Sequence, residues 1–152
     1  MKVLFVCIGN ICRSPIAEGV LQHLSDERSL GWDVHSAAVR NYHIGKPPHT
    51  SSQKVCTEHG VDITNQKAML FKKENVEQYD RIYAMATDVM EEIKDIVGKD
   101  FDEEKVHLFL DYKYPGENQS VVDPFYGDDD GYLPVYQQIN EVCEFIVERY
   151  SK

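Results

Sequence analysis

The sequence predicts an α/β fold: a four-stranded parallel sheet flanked by helices on both faces, formed as a single domain over residues 1–152. Three observations carry this. Four short apolar runs alternate with segments of helical periodicity, the pattern of a parallel sheet with right-handed crossovers. The first run ends at a cysteine that opens a short loop leading straight into a helix start. A chain of 152 residues, 42% hydrophobic and 28% charged, has the length and composition of one globular core.

Lys2 to Val6 is nearly continuous in apolar residues, as a strand covered on both faces should be. The run breaks at Gly9-Asn10. A helix restarts at Ser14-Pro15, a capping residue followed by proline at the first helical position. Ile16, Ala17, Val20, Leu21 and Leu24 then recur at helical spacing. Trp32 to Ala38 reads as the second strand, and Asn41 to Pro48, with Gly45 and Pro47-Pro48, as a loop. A weaker helix runs up to His59-Gly60. Asp80 to Ala86 is the third strand, Thr87 to Val97 a helix stopped by Gly98, and Val106 to Leu110 the fourth strand. The Pro-, Gly- and Asp-rich stretch Asp111 to Gly131 is longer than a plain connection needs, and such loops tend to be functional. The clearest helix closes the chain, its apolar stripe running from Tyr132 through Val135, Ile139, Cys143 and Ile146 to Tyr150.

The net charge of −10 disfavours nucleic-acid and anionic-membrane partners, which need a basic surface. The charge is uneven. Residues 1–76 carry nine basic and seven acidic side chains, while the remainder carries seven and nineteen, so an anionic ligand belongs with the first half. The N-terminal apolar stretch is too short for a secretory signal, and no window reaches the roughly 18 apolar residues of a membrane span. Cys7, Cys12, Cys56 and Cys143 show neither disulfide nor zinc spacing, so reduced thiols in the cytoplasm are expected. Cys56 and Cys143 fall on apolar helix faces and read as core. His23, His35, His43, His49, His59 and His107 are not clustered for a metal, and read as surface or packing groups; no metal and no cofactor is expected.

The chemistry concentrates in Cys7 to Pro15, CIGNICRSP. C-x5-R alone is weak evidence. Here it lies between a buried strand and a helix start, and Gly9 and Asn10 tolerate tight turns. A strand–loop–helix turn gathers main-chain N–H groups, and the helix adds the positive end of its dipole, so the loop suits a tetrahedral dianion. Ile8, Gly9, Asn10, Ile11 and Cys12 would form this phosphate-binding loop. Arg13 would grip two phosphate oxygens with its planar fork. Cys7, at the rim of the same positive cup, is placed as a thiolate nucleophile toward phosphorus. Ser14 is read as helix cap and as a hydrogen-bond donor to that sulfur. Two-step phosphoryl transfer also needs a proton donor, absent from the loop itself. Asp123, between Val121-Val122 and Pro124, is the candidate; a plain Asp-Pro turn is the bland alternative. Asp128 to Asp130 read as solvated charge before the last helix.

Taken together, VCIGNICRSPIAEGV and the later DPFYG resemble the low-molecular-weight protein tyrosine phosphatase family, with SAAV, HGVD, YDRIYAM and VYQQI in the same order. The resemblance covers most of the chain. It implies a four-stranded parallel sheet, Cys7 as nucleophile, Arg13 as phosphate clamp and Asp123 as general acid and then base. It further implies that Asn10, Ser14 and Ser36 brace the loop, that Tyr42, Phe125 and Tyr126 form aromatic walls for the phosphotyrosine ring, and that Cys12 pairs reversibly with the nucleophile on oxidation. The chain departs from the family pattern in Asn65 to Met69, where His and Arg are common, and at Ala86, where Asp is usual; Thr87 or Asp88 is the candidate replacement there. Phe125 stands where Tyr is frequent, leaving Tyr126 as the regulatory tyrosine.

The expected activity is metal-independent hydrolysis of phosphotyrosine in proteins and of small aryl phosphates, by a monomer with no nucleic-acid or membrane partner. Three alternatives share the fold. A thiol-dependent arsenate reductase needs a further redox-active cysteine pair, which Cys56 and Cys143 do not supply. A phosphoarginine phosphatase typically has Thr where Ile11 stands. A non-catalytic phosphate-binding protein would not need both Cys7 and Asp123.

Overall fold

The computed structural model describes residues 1–124 and 129–151, without the side chain of Asp129. Four parallel strands, β1 (Lys2–Cys7), β2 (Asp33–Ala38), β3 (Arg81–Ala84) and β4 (Val106–Leu108), form one sheet in the order β2-β1-β3-β4. Because β1 pairs on both sides, its residues alternate between two cores. Val3, Phe5 and Cys7 face α1 (Arg13–Glu27) and α5 (Tyr132–Tyr150), with Val55 and Cys56 of α2 (Thr50–Glu58) in the same cluster. Leu4 and Val6 face Val89, Ile93 and Val97 of α4 (Thr87–Val97) and Val76 of α3 (Asn75–Gln78). The sheet is thus covered on both faces, which is why β1 shows no polar alternation.

The predicted elements form with shifted ends. β1 runs one residue further than expected, so Cys7 is the last strand residue and is held in register opposite Ala38. The third strand is Arg81–Ala84 rather than Asp80–Ala86, although the Met85 N–H still donates to the Val6 carbonyl at 3.0 Å. The fourth stops at Leu108, because Phe109–Tyr112 turns into a 3-10 helix that buries Phe109 against Phe5 and Tyr83. Trp32 lies outside β2 but is buried, its N–H held by the Ser25 hydroxyl at 3.0 Å. α3 was not predicted; four residues are too few for a readable period. Gly60 and Gly98 take positive φ where helices were expected to stop, consistent with glycine's tolerance of that region.

The strand order reverses direction between β1 and β3. In open α/β sheets ligands sit in the crevice beyond the carboxyl ends of strands at such a point. Cys7 is the carboxyl end of β1, and the long loop returns to this place, where the Val121 N–H donates to the Met85 carbonyl at 2.8 Å.

Candidate active site

The loop from Cys7 to Arg13 owes its shape to Asn10, which is buried and takes φ +58°. A short polar side chain can occupy that region where most residues cannot. The Asn10 N–H donates to the Cys7 sulfur at 3.3 Å. Its side-chain amide donates to the hydroxyls of Ser14 and Ser36, each at 2.8 Å, and its carbonyl oxygen accepts the Met69 N–H at 3.0 Å. One asparagine therefore ties the loop to α1, to β2 and to the segment beyond α2.

Ser14 does not cap α1. The helix begins two residues earlier than expected, at Arg13, with Cys12 at the cap position and no side-chain cap bond. The Ser14 hydroxyl is drawn inward instead, 2.9 Å from the Cys7 sulfur. Since Asn10 already donates to that oxygen, the hydroxyl proton is available to the sulfur, and a hydrogen bond to an ionised partner is among the stronger kinds. Ser36, behind Asn10, donates to Glu18 at 2.6 Å. Burial of this carboxyl pushes Glu18 up to about 7, against the opposing hydrogen bond from Ser36.

The cavity in front of the loop is lined by Cys7, Ile8, Gly9, Ile11, Cys12, Arg13, Tyr42, His43 and Asp123. Arg13 is buried at the start of α1; its Nη1 donates to the Val121 carbonyl at 3.1 Å, and its Nη2 lies 3.6 Å from Asp123 Oδ2. The same guanidinium that faces the cavity thus holds the loop carrying Val121 and Asp123. Asn10 and Ser14, expected among the phosphate contacts, do not line this cavity, and the Asn10 amide is bonded to the Ser14 hydroxyl. Cys12 faces the cavity, its sulfur 3.5 Å from the Tyr132 hydroxyl; burial, the largest effect, pushes its thiol up to about 11. Cys12 is accordingly protonated at neutral pH. Cys56 and Cys143 are buried in the core, as expected, and burial pushes Cys56 up to about 12. Phe125 and Tyr126 lie outside the described residues.

One of the two family departures is compensated locally. Met69 reaches the loop through its main-chain N–H, and Gln66 donates to the Pro15 carbonyl at 3.1 Å. Among the described residues, no hydrogen bond from Thr87 or Asp88 to the phosphate loop replaces the carboxylate usual at Ala86. The Thr87 N–H is taken by Ser120 at 2.9 Å, which fastens the acid-bearing loop to α4, and Asp88 accepts the Val89 N–H.

Of the histidines read as ordinary, His43 lines the cavity and His49 braces the loop behind it. His43 packs on Gly9, where an added Cβ would come within 2.8 Å of its Cδ2. His49 caps α2 by accepting the Ser51 N–H at 3.1 Å, and its own N–H donates to the Ile11 carbonyl at 2.8 Å. Single histidines in a loop carry no periodic signal; the adjacency of Tyr42-His43 to a candidate aromatic wall was the available clue.

The chain matches the family model described as low molecular weight phosphotyrosine protein phosphatase over residues 2–152. It is 35% identical to the human low molecular weight phosphotyrosine protein phosphatase, covering 97% of this chain and 94% of that one. The crystal structure of YfkJ from Bacillus subtilis superposes with a TM-score of 0.89 at 30% identity, covering 98% and 93% of the two chains. A Drosophila arginine phosphatase superposes with a TM-score of 0.90 at 32% identity, covering 100% and 99%. With this sulfur-centred loop and likeness along its whole length, the chain belongs to the low molecular weight phosphotyrosine protein phosphatase family, a family of hydrolases.

Proposed function

We propose that the cavity hydrolyses phosphotyrosine in proteins through a phosphocysteine. The Cys7 thiolate attacks phosphorus, and the bond to the tyrosyl oxygen breaks. Asp123 gives its proton to that leaving oxygen. Arg13 and the loop N–H groups hold the three remaining phosphoryl oxygens as charge spreads over them. Water then attacks phosphorus, Asp123 takes its proton, and inorganic phosphate leaves with the Cys7 thiolate restored. The observation that carries the proposal is the pairing of the Cys7 sulfur with two donors, Ser14 and the Asn10 N–H, in a cavity shared with Arg13 and Asp123.

Tyr42, 63% exposed at the cavity mouth, is placed to pack against the substrate ring. Ile11 supplies an apolar wall, which favours an aryl group over a charged guanidinium. The likeness to an arginine phosphatase supports phosphoarginine as the second reading. Cys7, Arg13 and Asp123 all come from one chain, which supports a monomer and one phosphatase domain over residues 1–152. The free thiols support a reducing, cytoplasmic setting. Among the described residues no helix is long and apolar enough to cross a membrane.

The test is hydrolysis of an aryl phosphate in EDTA by the wild type, Cys7→Ser and Asp123→Ala. The expected result is turnover that survives the chelator, vanishes in Cys7→Ser and falls in Asp123→Ala. Full activity in Cys7→Ser contradicts the proposal.

A further inference from the structure

Beside the cavity lies an open stretch of sheet edge. The Ala38 N–H donates to the Met69 carbonyl at 2.8 Å, and the Phe71 N–H donates to the Ala38 carbonyl at 2.7 Å, so residues 69–71 pair with the end of β2 through the single parallel bridge Ala38–Leu70. With Met69 O and Phe71 N turned toward β2, the N–H and C=O of Leu70 between them face away from the sheet. On either side of Leu70 this outer edge is closed. The Gly45 N–H donates to the Ala68 carbonyl and the Ala68 N–H to the Lys46 carbonyl, both at 2.8 Å, while the Lys72 N–H is taken by the Asn75 side chain at 2.7 Å. Among the described residues, neither main-chain group of Leu70 has a partner. An unpaired edge is a template for an added strand.

The same place is apolar and open. A groove of about 1060 Å³ runs past Ile44, Met69 and Leu70, and Ile44 and Leu70 are 44% and 38% exposed. It lies near the catalytic cavity: Ala38, the bridge partner of Leu70, is paired on its other side with Cys7. Ile44 follows Tyr42 and His43, which line the cavity mouth, and the Met69 N–H is bonded to Asn10 of the phosphate loop.

We propose that this groove docks an extended segment of the substrate protein next to its phosphotyrosine, with one residue pairing its main chain to Leu70 and a neighbouring aliphatic side chain lying on Ile44 and Leu70. The inference rests on the phosphatase reading above and names the kind of substrate it selects: an unfolded phosphotyrosyl segment with an aliphatic residue flanking the phosphotyrosine and no proline at the pairing position. Main-chain bonds supply affinity and the side-chain groove supplies selection, the usual division in strand addition.

The experiment compares kcat/KM for synthetic phosphotyrosyl peptides, in which one leucine is moved through the flanking positions, with turnover of a small aryl phosphate. The enzymes are wild type, Ile44→Asp and Leu70→Asp, both at exposed positions. Exchange of the Leu70 amide is also measured in Cys7→Ser saturated with the best peptide. The expected result is a preferred leucine position worth about tenfold in kcat/KM, carried mainly by KM. It is lost in both variants and on N-methylation of the pairing residue, while the small ester is turned over as before. The Leu70 amide becomes protected only with peptide bound. A flat leucine scan, or a Leu70 amide that stays unprotected under saturating peptide, overturns the docking proposal while leaving a working phosphatase. Failure of the wild type on the small ester overturns the phosphatase reading instead. A concentration-dependent dimer abolished by Leu70→Asp would assign the groove to a second copy of the chain and equally overturn it.

Discussion

The hydroxyl of Ser14 lies 2.9 Å from the sulfur of Cys7, and the direction of that bond is set from behind. Asn10 donates one amide hydrogen to Ser14 and the other to Ser36, and the Ser36 hydroxyl donates to Glu18. Each hydroxyl thus accepts from Asn10 and has its proton left to donate: that of Ser14 to the sulfur, that of Ser36 to a carboxyl. A fully satisfied buried network of this kind holds its members in one arrangement.

Removing the Ser14 donor should expose its value directly. In Ser14→Ala the Cys7 thiolate loses a hydrogen bond of the charged class, worth about 1.5–3 kcal/mol. Alkylation of Cys7 by iodoacetamide at mildly acidic pH is expected to slow about tenfold to a hundredfold, with a parallel fall in kcat/KM. An unchanged alkylation rate would show that the sulfur does not depend on this hydroxyl.

Asp123 should matter in proportion to how badly the leaving group needs a proton. Asp123→Asn preserves shape but cannot deliver one, so kcat is expected to fall about 10²–10⁴-fold on phenyl phosphate. The fall should be smaller on an ester of a more acidic phenol. Equal losses on both substrates would argue against an acid role.

Glu18 links the network to pH. Its carboxyl titrates near 7 in the folded protein, above its ordinary value of 4.5, because burial disfavours the charge. Between these values the folded chain keeps a proton that the unfolded chain releases. The stability this group contributes is therefore complete below about 4.5 and is lost as pH rises through about 7. Glu18→Gln keeps an acceptor for Ser36 and cannot ionise. Its stability relative to wild type in urea titrations should rise across this window, reaching about 1–3 kcal/mol at alkaline pH.

Gly19 is buried inside α1, where alanine would ordinarily raise helix propensity. A Cβ there would run into Ile63 Cγ2 and lie 3.0 Å from Val61 Cγ1. Gly19→Ala is accordingly expected to destabilise the fold by about 1–3 kcal/mol, read as a lower denaturant midpoint.

The fold was legible because β1 and α5 carry strong patterns, one continuous and one periodic. Cys7 and Arg13 stood out because a strand, a loop and a helix start follow in immediate succession, while the bracing role of Asn10 came with the family resemblance. What stayed hidden depends on contacts distant in sequence. The sequence reads Ser14 as both cap and donor to the sulfur, and only the second use forms, since both need the same hydroxyl. The Met69 brace works through the main chain, which no side-chain motif records, and the Ser120 hold on Thr87 spans 33 residues. His43 and His49 act through neighbours that only the folded chain supplies.

The proposed mechanism requires phosphorus to be bonded for a time to the sulfur of Cys7. The most direct test mixes Asp123→Ala with an activated aryl phosphate bearing radiolabelled phosphorus, quenches with denaturant within the first turnover, and locates the label by peptide mapping. The account predicts label on the peptide containing Cys7 and none in Cys7→Ser. Steady release of labelled phosphate with no label ever attached to that peptide would contradict it.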